Sequence, residues 1–171
     1  VVLKKNRNTG ILVVEKSMEV QKHYDKEMDF FTHSSSRPKT FFPALICAAI
    51  YNEDKYDQPY RIVTEFVNGE KSQLMAERAT PLQLRYMVAQ FFNSIVELHK
   101  TGFIHCDLSP ANVMVSEDFE VKLIDFGMAL RVGKAYGGRG SFYTRAPELH
   151  GLCPGKVDVA IDWWAFGQLA A

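Results

Sequence analysis

Apolar and polar positions change their period several times along the chain, and each change marks an element. The runs VVLKK and ILVVEK are rich in β-branched residues, and Asn8, Thr9 and Gly10 between them are turn formers, so residues 1–16 predict a hairpin. Over residues 18–33 the apolar side chains fall at Val20, Tyr24, Met28 and Phe31, near the 3.6-residue spacing of an amphipathic helix. The stretch SSSRPK at 34–39 supplies loop residues that end it. Two more strands are expected in ALICAAIY and YRIVTEF, separated by the polar NEDKYDQP with its Pro59.

The clearest helical signal covers residues 80–100. Thr80 is placed to cap it, Pro81 suits its first turn, and Gln83 stands three residues after the cap. Leu84, Met87 or Val88, Phe91, Ile95 and Leu98 form one apolar stripe, and Gly102 stops the helix. His99 in its last turn suits the helix dipole and reads as structural. Beyond it the period returns to two: NVMV (112–115) and VKLI (121–124), with a turn at 116–119, predict a second hairpin.

That second hairpin carries the chemistry. Asn112 and Asp125 stand at its two open ends, so pairing the runs brings an amide oxygen and a carboxylate together. Both are hard ligands, suited to Mg²⁺. Asp107, five residues before Asn112, is free to take a proton from an attacking hydroxyl. Phosphoryl transfer asks a protein mainly to position and to neutralise, so three well-placed groups can suffice.

Composition narrows the setting. Twenty acidic and twenty basic side chains in 171 residues give no net charge, so neither a nucleic acid nor a membrane partner is implied. An apolar share of 47% is enough for a core. Cys47, Cys106 and Cys153 form no C-x-x-C pair, the pattern of free thiols in a reducing compartment, cytoplasmic or nuclear. The longest apolar run, 41–51, is broken by Pro43 and too short to span a bilayer. The sequence begins at Val1 without a methionine, which leaves the natural N-terminus open.

Four motifs in order, HCDLSPAN (105–112), DFG (125–127), APE (146–148) and DWWAFG (162–167), give the chain a resemblance to the eukaryotic-type protein kinase family over almost its whole length. The resemblance implies an α+β, two-lobed fold: a partial N-lobe at 1–67, with a small antiparallel sheet and one helix, and a mainly helical partial C-lobe at 68–171. It implies a chain that begins after the phosphate-covering loop and stops inside the Asp162 helix. A buried Glu148 carboxylate without its partner, and Trp163, Trp164 and Phe166 without a packing surface, are then expected.

The implied function is ATP-dependent phosphoryl transfer to Ser or Thr hydroxyls of protein substrates, with a regulatory protein partner conceivable. Asp107 would be the base, Asn112 and Asp125 the Mg²⁺ ligands, and Lys16 the grip on the ATP phosphates. Glu27, preferred to Glu19, would orient Lys16. Backbone groups of 65–67, including Glu65 and Val67, would meet adenine, with Thr64 behind it. Val1, Val14 and Met114 would sandwich the ring. His105 would pack on Phe126 in a stack reaching the N-lobe helix through Phe31, with Asp162 at its foot. Cys106 stands where the family usually has the arginine that binds an activating phosphate, so activity independent of that phosphate is expected. Ser109 replaces a lysine that steadies the γ-phosphate. Two alternatives stay open: a pseudokinase binding module, and a small-molecule phosphotransferase.

Overall fold

The computed structural model describes residues 1–6, 9–34, 40–51, 55, 57–134, 140–150 and 158–171. Expectations for Asn8, most of the 34–39 loop, 52–54, 56, Tyr136, Gly137, Gly138 and Cys153 lie outside them.

The first hairpin pairs β1 (Val2–Lys5) with β2 (Leu12–Met18), and Gly10 at φ 72° takes the left-handed turn position that glycine adopts without penalty. Helix α1 (Gln21–Ser34) follows; Val20 lies outside it and is exposed. Strands β3 (Leu45–Ile50) and β4 (Tyr60–Glu65) complete an antiparallel sheet of order β1-β2-β4-β3. The register of β2 on β4 sets Lys16 opposite Ile62, which puts the lysine within a paired stretch of strand that fixes its backbone against β4.

A two-residue β5 (Glu70–Lys71) and a short α2 (Ser72–Ala76) lead to α3 (Pro81–Lys100). The capping box is formed: the Gln83 N–H donates to Thr80 Oγ1 at 3.4 Å and the Thr80 N–H donates to Gln83 Oε1 at 2.8 Å. Met87, Phe91, Ile95 and Leu98 are buried and Val88 is exposed, so Met87 fills the position the sequence left open. Next come β6 (Phe103–Ile104), the hairpin β7 (Val113–Val115) with β8 (Val121–Leu123), and β9 (Leu130–Arg131), which pairs with β6. Helix α4 (Ala160–Ala170) closes the described chain.

One continuous core runs from the sheet into the helical half, through Met18, Phe30, Phe42 and Ile62 to Phe91, Ile95, Leu123 and Phe126. The second hairpin is fastened from two sides. Gln90 on α3 donates to Phe119 O (3.1 Å) and accepts from the Val121 N–H (3.3 Å), which satisfies two backbone groups at the hairpin tip. On the other side a Cβ at Gly69 would lie 2.4 Å from Val115 O, so only glycine permits this approach. Two expectations are corrected here. Trp163 packs on Phe92 (5.0 Å) and Phe166 on Phe91 (5.2 Å), leaving only Trp164 of the three aromatics exposed, and Glu148 is exposed rather than buried.

Candidate active site

The loop that carries Asp107 is held from beneath. Asp162, 1% exposed at the start of α4, accepts from the N–H groups of His105 (2.8 Å) and Cys106 (3.1 Å) and from His99 Nε2 (2.9 Å). Those bonds offset the cost of Cys106 at φ 64°, a left-handed backbone that a non-glycine residue adopts at a penalty of about 1 kcal/mol or more. Burial pushes the Cys106 thiol pKa up, so it stays protonated and serves as a small apolar side chain. His105 is fully buried, and because a carbonyl can only accept, its Nε2 donates to Ile124 O at 3.1 Å.

Above that floor the Asp107 carboxylate is engaged on both oxygens. Asn112 Nδ2 donates to Oδ2 (3.1 Å) and to the Asp107 carbonyl (2.9 Å). Ser141 donates to Oδ1 from its N–H and from its hydroxyl, each at 2.7 Å. A serine hydroxyl on this carboxylate has the geometry of an alcohol awaiting proton removal. Ser109 is buried, and its carbonyl accepts from the Asn112 N–H at 3.0 Å.

The hairpin register then delivers the second acidic group. Val113 pairs with Leu123 and the Ile124 N–H donates to Asn112 O (3.0 Å), so Asp125 emerges beside Asn112. Asp125 sits at φ 61°, another strained backbone at the predicted site. Its Oδ1 accepts from Lys16 Nζ at 2.6 Å and from the Gly127 N–H at 3.3 Å. Lys16 Nζ lies 2.8 Å from Glu27 Oε2 as well, so one ammonium bridges two carboxylates from α1 and from the hairpin end. Glu27, rather than Glu19, is the partner.

The electrostatics follow from burial and pairing. Burial works against the charge on Lys16, but Glu27 and Asp125 outweigh it and hold its pKa above the ordinary lysine value. Burial pushes the Glu27 carboxyl up, and Lys16 only partly offsets that. Asp125 is pushed up by burial too, yet Lys16 prevails and leaves it below the usual range. Gly127 is tight against this cluster: a Cβ there would lie 3.0 Å from Lys16 Nζ and 3.2 Å from Asp125 Oδ1.

Phe126 is completely buried and stacks face to face on Phe30, centroids 3.7 Å apart at 14°, while Phe31 meets it edge-on at 6.0 Å. The link between helix and hairpin therefore passes mainly through Phe30, not Phe31, and His105 flanks it at 5.1 Å. Of the expected adenine contacts, Val14 pairs with Thr64, and Met114 lies on β7 opposite Lys122. Val1 is 85% exposed, outside the paired register of β1. The Glu65 side chain is occupied, accepting from Lys122 Nζ (3.1 Å) and the Ala44 N–H (3.2 Å); Val67 is half-buried. Missed by the sequence were the Ser141 contact to Asp107, the Lys122 tie to Glu65, and an Arg131–Asp29 pair on the flank of α1.

Among the described residues no group of three or more His, Cys, Asp or Glu side chains is placed to hold a metal. A site made of one carboxylate, one amide oxygen and substrate phosphates is a different kind, and Asp125 with Asn112 fits it, since both donors are hard and sit at adjoining hairpin ends. No helix among the described residues is long and apolar enough to cross a membrane.

Known proteins share this chain's family and its fold. The protein kinase domain model matches residues 1–171. The mitogen-activated protein kinase HOG1B of Wallemia ichthyophaga is 33% identical over 111 residues, 64% of this chain and 30% of that protein. HOG1 of Hortaea werneckii is 31% identical over 121 residues, 70% and 32% respectively. The Cydia pomonella granulovirus kinase PK-1 superposes with a TM-score of 0.82 at 18% identity, covering 98% of this chain and 61% of that one. The chain thus spans about a third of the length of the curated relatives it matches. With the family model matched from end to end and the fold shared, this chain belongs to the protein kinase domain family.

Proposed function

We propose that the protein of which this chain is part transfers the γ-phosphoryl group of ATP to Ser or Thr hydroxyls of protein substrates. The observation that carries the reading is the bridging ammonium: Lys16 Nζ within 2.8 Å of carboxylates from α1 and from the hairpin end, beside the Asp107 and Asn112 pair. In this reading residues 1–67 and 68–171 are the two lobes. Backbone groups at Glu65 and Val67 meet adenine, and Val14, Met114 and Val1 contribute apolar contact to it. Lys16 orients the phosphates, Glu27 holds Lys16, and Asp107 takes the acceptor proton once Ser141 yields Oδ1. Asn112 and Asp125 would hold Mg²⁺, which when bound neutralises phosphate charge. The relatives are named as protein kinases, which favours a protein acceptor; Ser or Thr as the acceptor, a cytoplasmic or nuclear setting and a regulatory partner are parts of the reading that rest on the sequence motifs and the free thiols.

The test is transfer of labelled phosphate to a protein acceptor by the full-length protein. Asp107→Asn should lower kcat by about 10² to 10⁴ while the Mg-ATP-induced rise in melting temperature persists. An unchanged rate would remove Asp107 from the role of base. A second reading, a nucleotide-binding pseudokinase, is favoured by Ser109 in place of a lysine and by the full occupancy of the Asp107 carboxylate. It predicts the ATP shift with no transfer by the wild-type protein. Small-molecule transfer is the weaker alternative, because the segment from DFG to APE offers a surface such acceptors do not need.

A further inference from the structure

Beyond the cleft, one charged cluster has no part in the chemistry above. Arg131, on β9 six residues after Asp125, makes a two-pronged contact with Asp29 on α1: Nε to Oδ2 at 2.9 Å and Nη2 to Oδ1 at 2.7 Å. His33, one turn along α1, joins it. Its Nδ1 lies 2.8 Å from the Asp29 carbonyl and so donates there, which leaves Nε2 to accept from Arg131 Nη2 at 2.8 Å. The guanidinium also lies over the Phe103 ring, 5.0 Å from its centroid, and Phe103 is the β6 residue paired with Arg131 itself. β6 runs directly into the loop that carries Asp107.

Arg131 therefore touches three things at once: the helix that presents Glu27, the strand that feeds the Asp107 loop, and the segment leaving Asp125. Asp29 is two residues from Glu27, so rotating or withdrawing α1 to break one contact disturbs the other. The partner of Arg131 is a carboxylate already in the chain, and Cys106 offers no cation for an added phosphate to bridge. We propose that Arg131 is a positioning residue for the Lys16–Glu27 pair, clamping α1 through Asp29 so that the pair forms without phosphorylation of the segment. This rests on the reading of Lys16 as the phosphate-gripping lysine.

The experiment uses full-length protein with Arg131→Asp, Asp29→Arg, the charge-swapped double variant and Arg131→Lys. Amide hydrogen exchange over residues 21–34 reads the clamp without reference to catalysis, and kcat/KM for ATP reads its effect on Lys16. Each single reversal should speed exchange in α1 but not α3, and lower kcat/KM by about fivefold, the scale of one partly exposed ion pair. The double swap should recover most of both losses, and Arg131→Lys should keep more activity than Arg131→Asp. In a Lys16→Met background, Arg131→Asp should cost no further residual activity, because the two act in series. Unrecovered loss in the double swap, equal loss in the Lys16→Met background, or unchanged kcat/KM would overturn the inference. A wild-type protein that neither shifts with Mg-ATP nor transfers phosphate would instead overturn the function reading.

Discussion

Helix α1 is attached to the segment after Asp125 along two edges, and they are built from opposite materials. Its inner edge presents Glu27 and Phe30, 4% and 0% exposed, to Lys16 and Phe126. Its outer edge presents Asp29 and His33 to Arg131, with the Asp29 and Arg131 side chains 39% and 40% exposed. The inner contacts hide apolar area and a charge pair whose Glu27 member is buried and whose Lys16 member is mostly so, so breaking them is expensive with little dependence on salt. The outer contact stands in water, where solvent screening leaves it little energy and much adjustability. Stability resides on one edge; the setting of the helix can reside on the other.

The sharpest way to break the inner edge is Phe30→Ala. Phe30 meets Phe31, Phe42, Phe103 and Phe126, all within 5.8 Å between centroids, so the truncation opens a void at the junction of sheet and hairpin. The expected loss is about 3 to 5 kcal/mol in chemical denaturation. Phe31→Ala should cost less, since its contact with Phe126 is the more distant edge-on one. Equal losses would return the stack to both rings alike.

Next in size is Lys16→Met, which leaves the Glu27 carboxylate buried beside Asp125 with no cation. Breaking a dry pair costs about 3 to 5 kcal/mol, and Glu27 softens that by taking up a proton, so about 2 kcal/mol is expected near neutral pH. The sign can be checked. Glu27 in the variant has a folded pKa above its unfolded one, so the destabilisation should grow as pH rises and fade in acid. In the wild type the raised Lys16 pKa has the same sign in a more alkaline window: its contribution is full below the ordinary lysine value near 10.5 and is lost as pH climbs through the folded value. Melting curves of both proteins from pH 5 to 11 read the two slopes.

What the sequence disclosed and what it withheld divide along the same lines. Asp107, Asn112 and Asp125 were readable because a five-residue gap and a tight hairpin fix their separation locally, and Thr80 and Gln83 announced their helix by a spacing of three. Glu27 was separable from Glu19 because Phe30 and Phe31 follow it and because Glu19 stands too close to Lys16 in sequence; Glu19 in fact precedes α1. Phe30 and Phe31 could not be ranked, since adjacent helical positions differ only by a rotation that the whole packing decides. Asp29 and Arg131 are 102 positions apart and Asp107 and Ser141 are 34 apart, and no local pattern encodes such meetings. Glu65 was expected to offer backbone groups to adenine, and no local pattern announced that its carboxylate accepts from Lys122 and the Ala44 N–H.

A smaller perturbation probes the inner edge without emptying it. Gly127→Ala would set a methyl 3.0 Å from Lys16 Nζ and 3.2 Å from Asp125 Oδ1, the far ends of two side chains rather than backbone, so the fold should yield for about 1 kcal/mol. The displaced ammonium should show mainly as a weaker Mg-ATP-induced melting shift. A large stability loss with an unchanged shift would mean that backbone, rather than Lys16, resists the methyl.

The least costly change lies on the outer edge. Arg131 donates to Asp29 and holds its carboxyl below the usual range, against a small opposing effect of burial, with His33 and Lys134 adding positive charge nearby. A depressed carboxyl contributes stability above its unfolded pKa of about 3.9 and loses it as pH falls through the folded value. Asp29→Asn should therefore flatten the acid end of the stability profile below about pH 4, without abolishing its slope, because Asp125 is depressed as well and remains. With both partners more than a third exposed, the wild-type advantage near neutral pH should be about 2 °C or less in melting temperature. High salt, at a screening length of about 3 Å in 1 M, should erase that advantage while leaving the Lys16→Met deficit nearly intact. A salt response of the same size at both edges would mean that water reaches Glu27 as freely as it reaches Asp29.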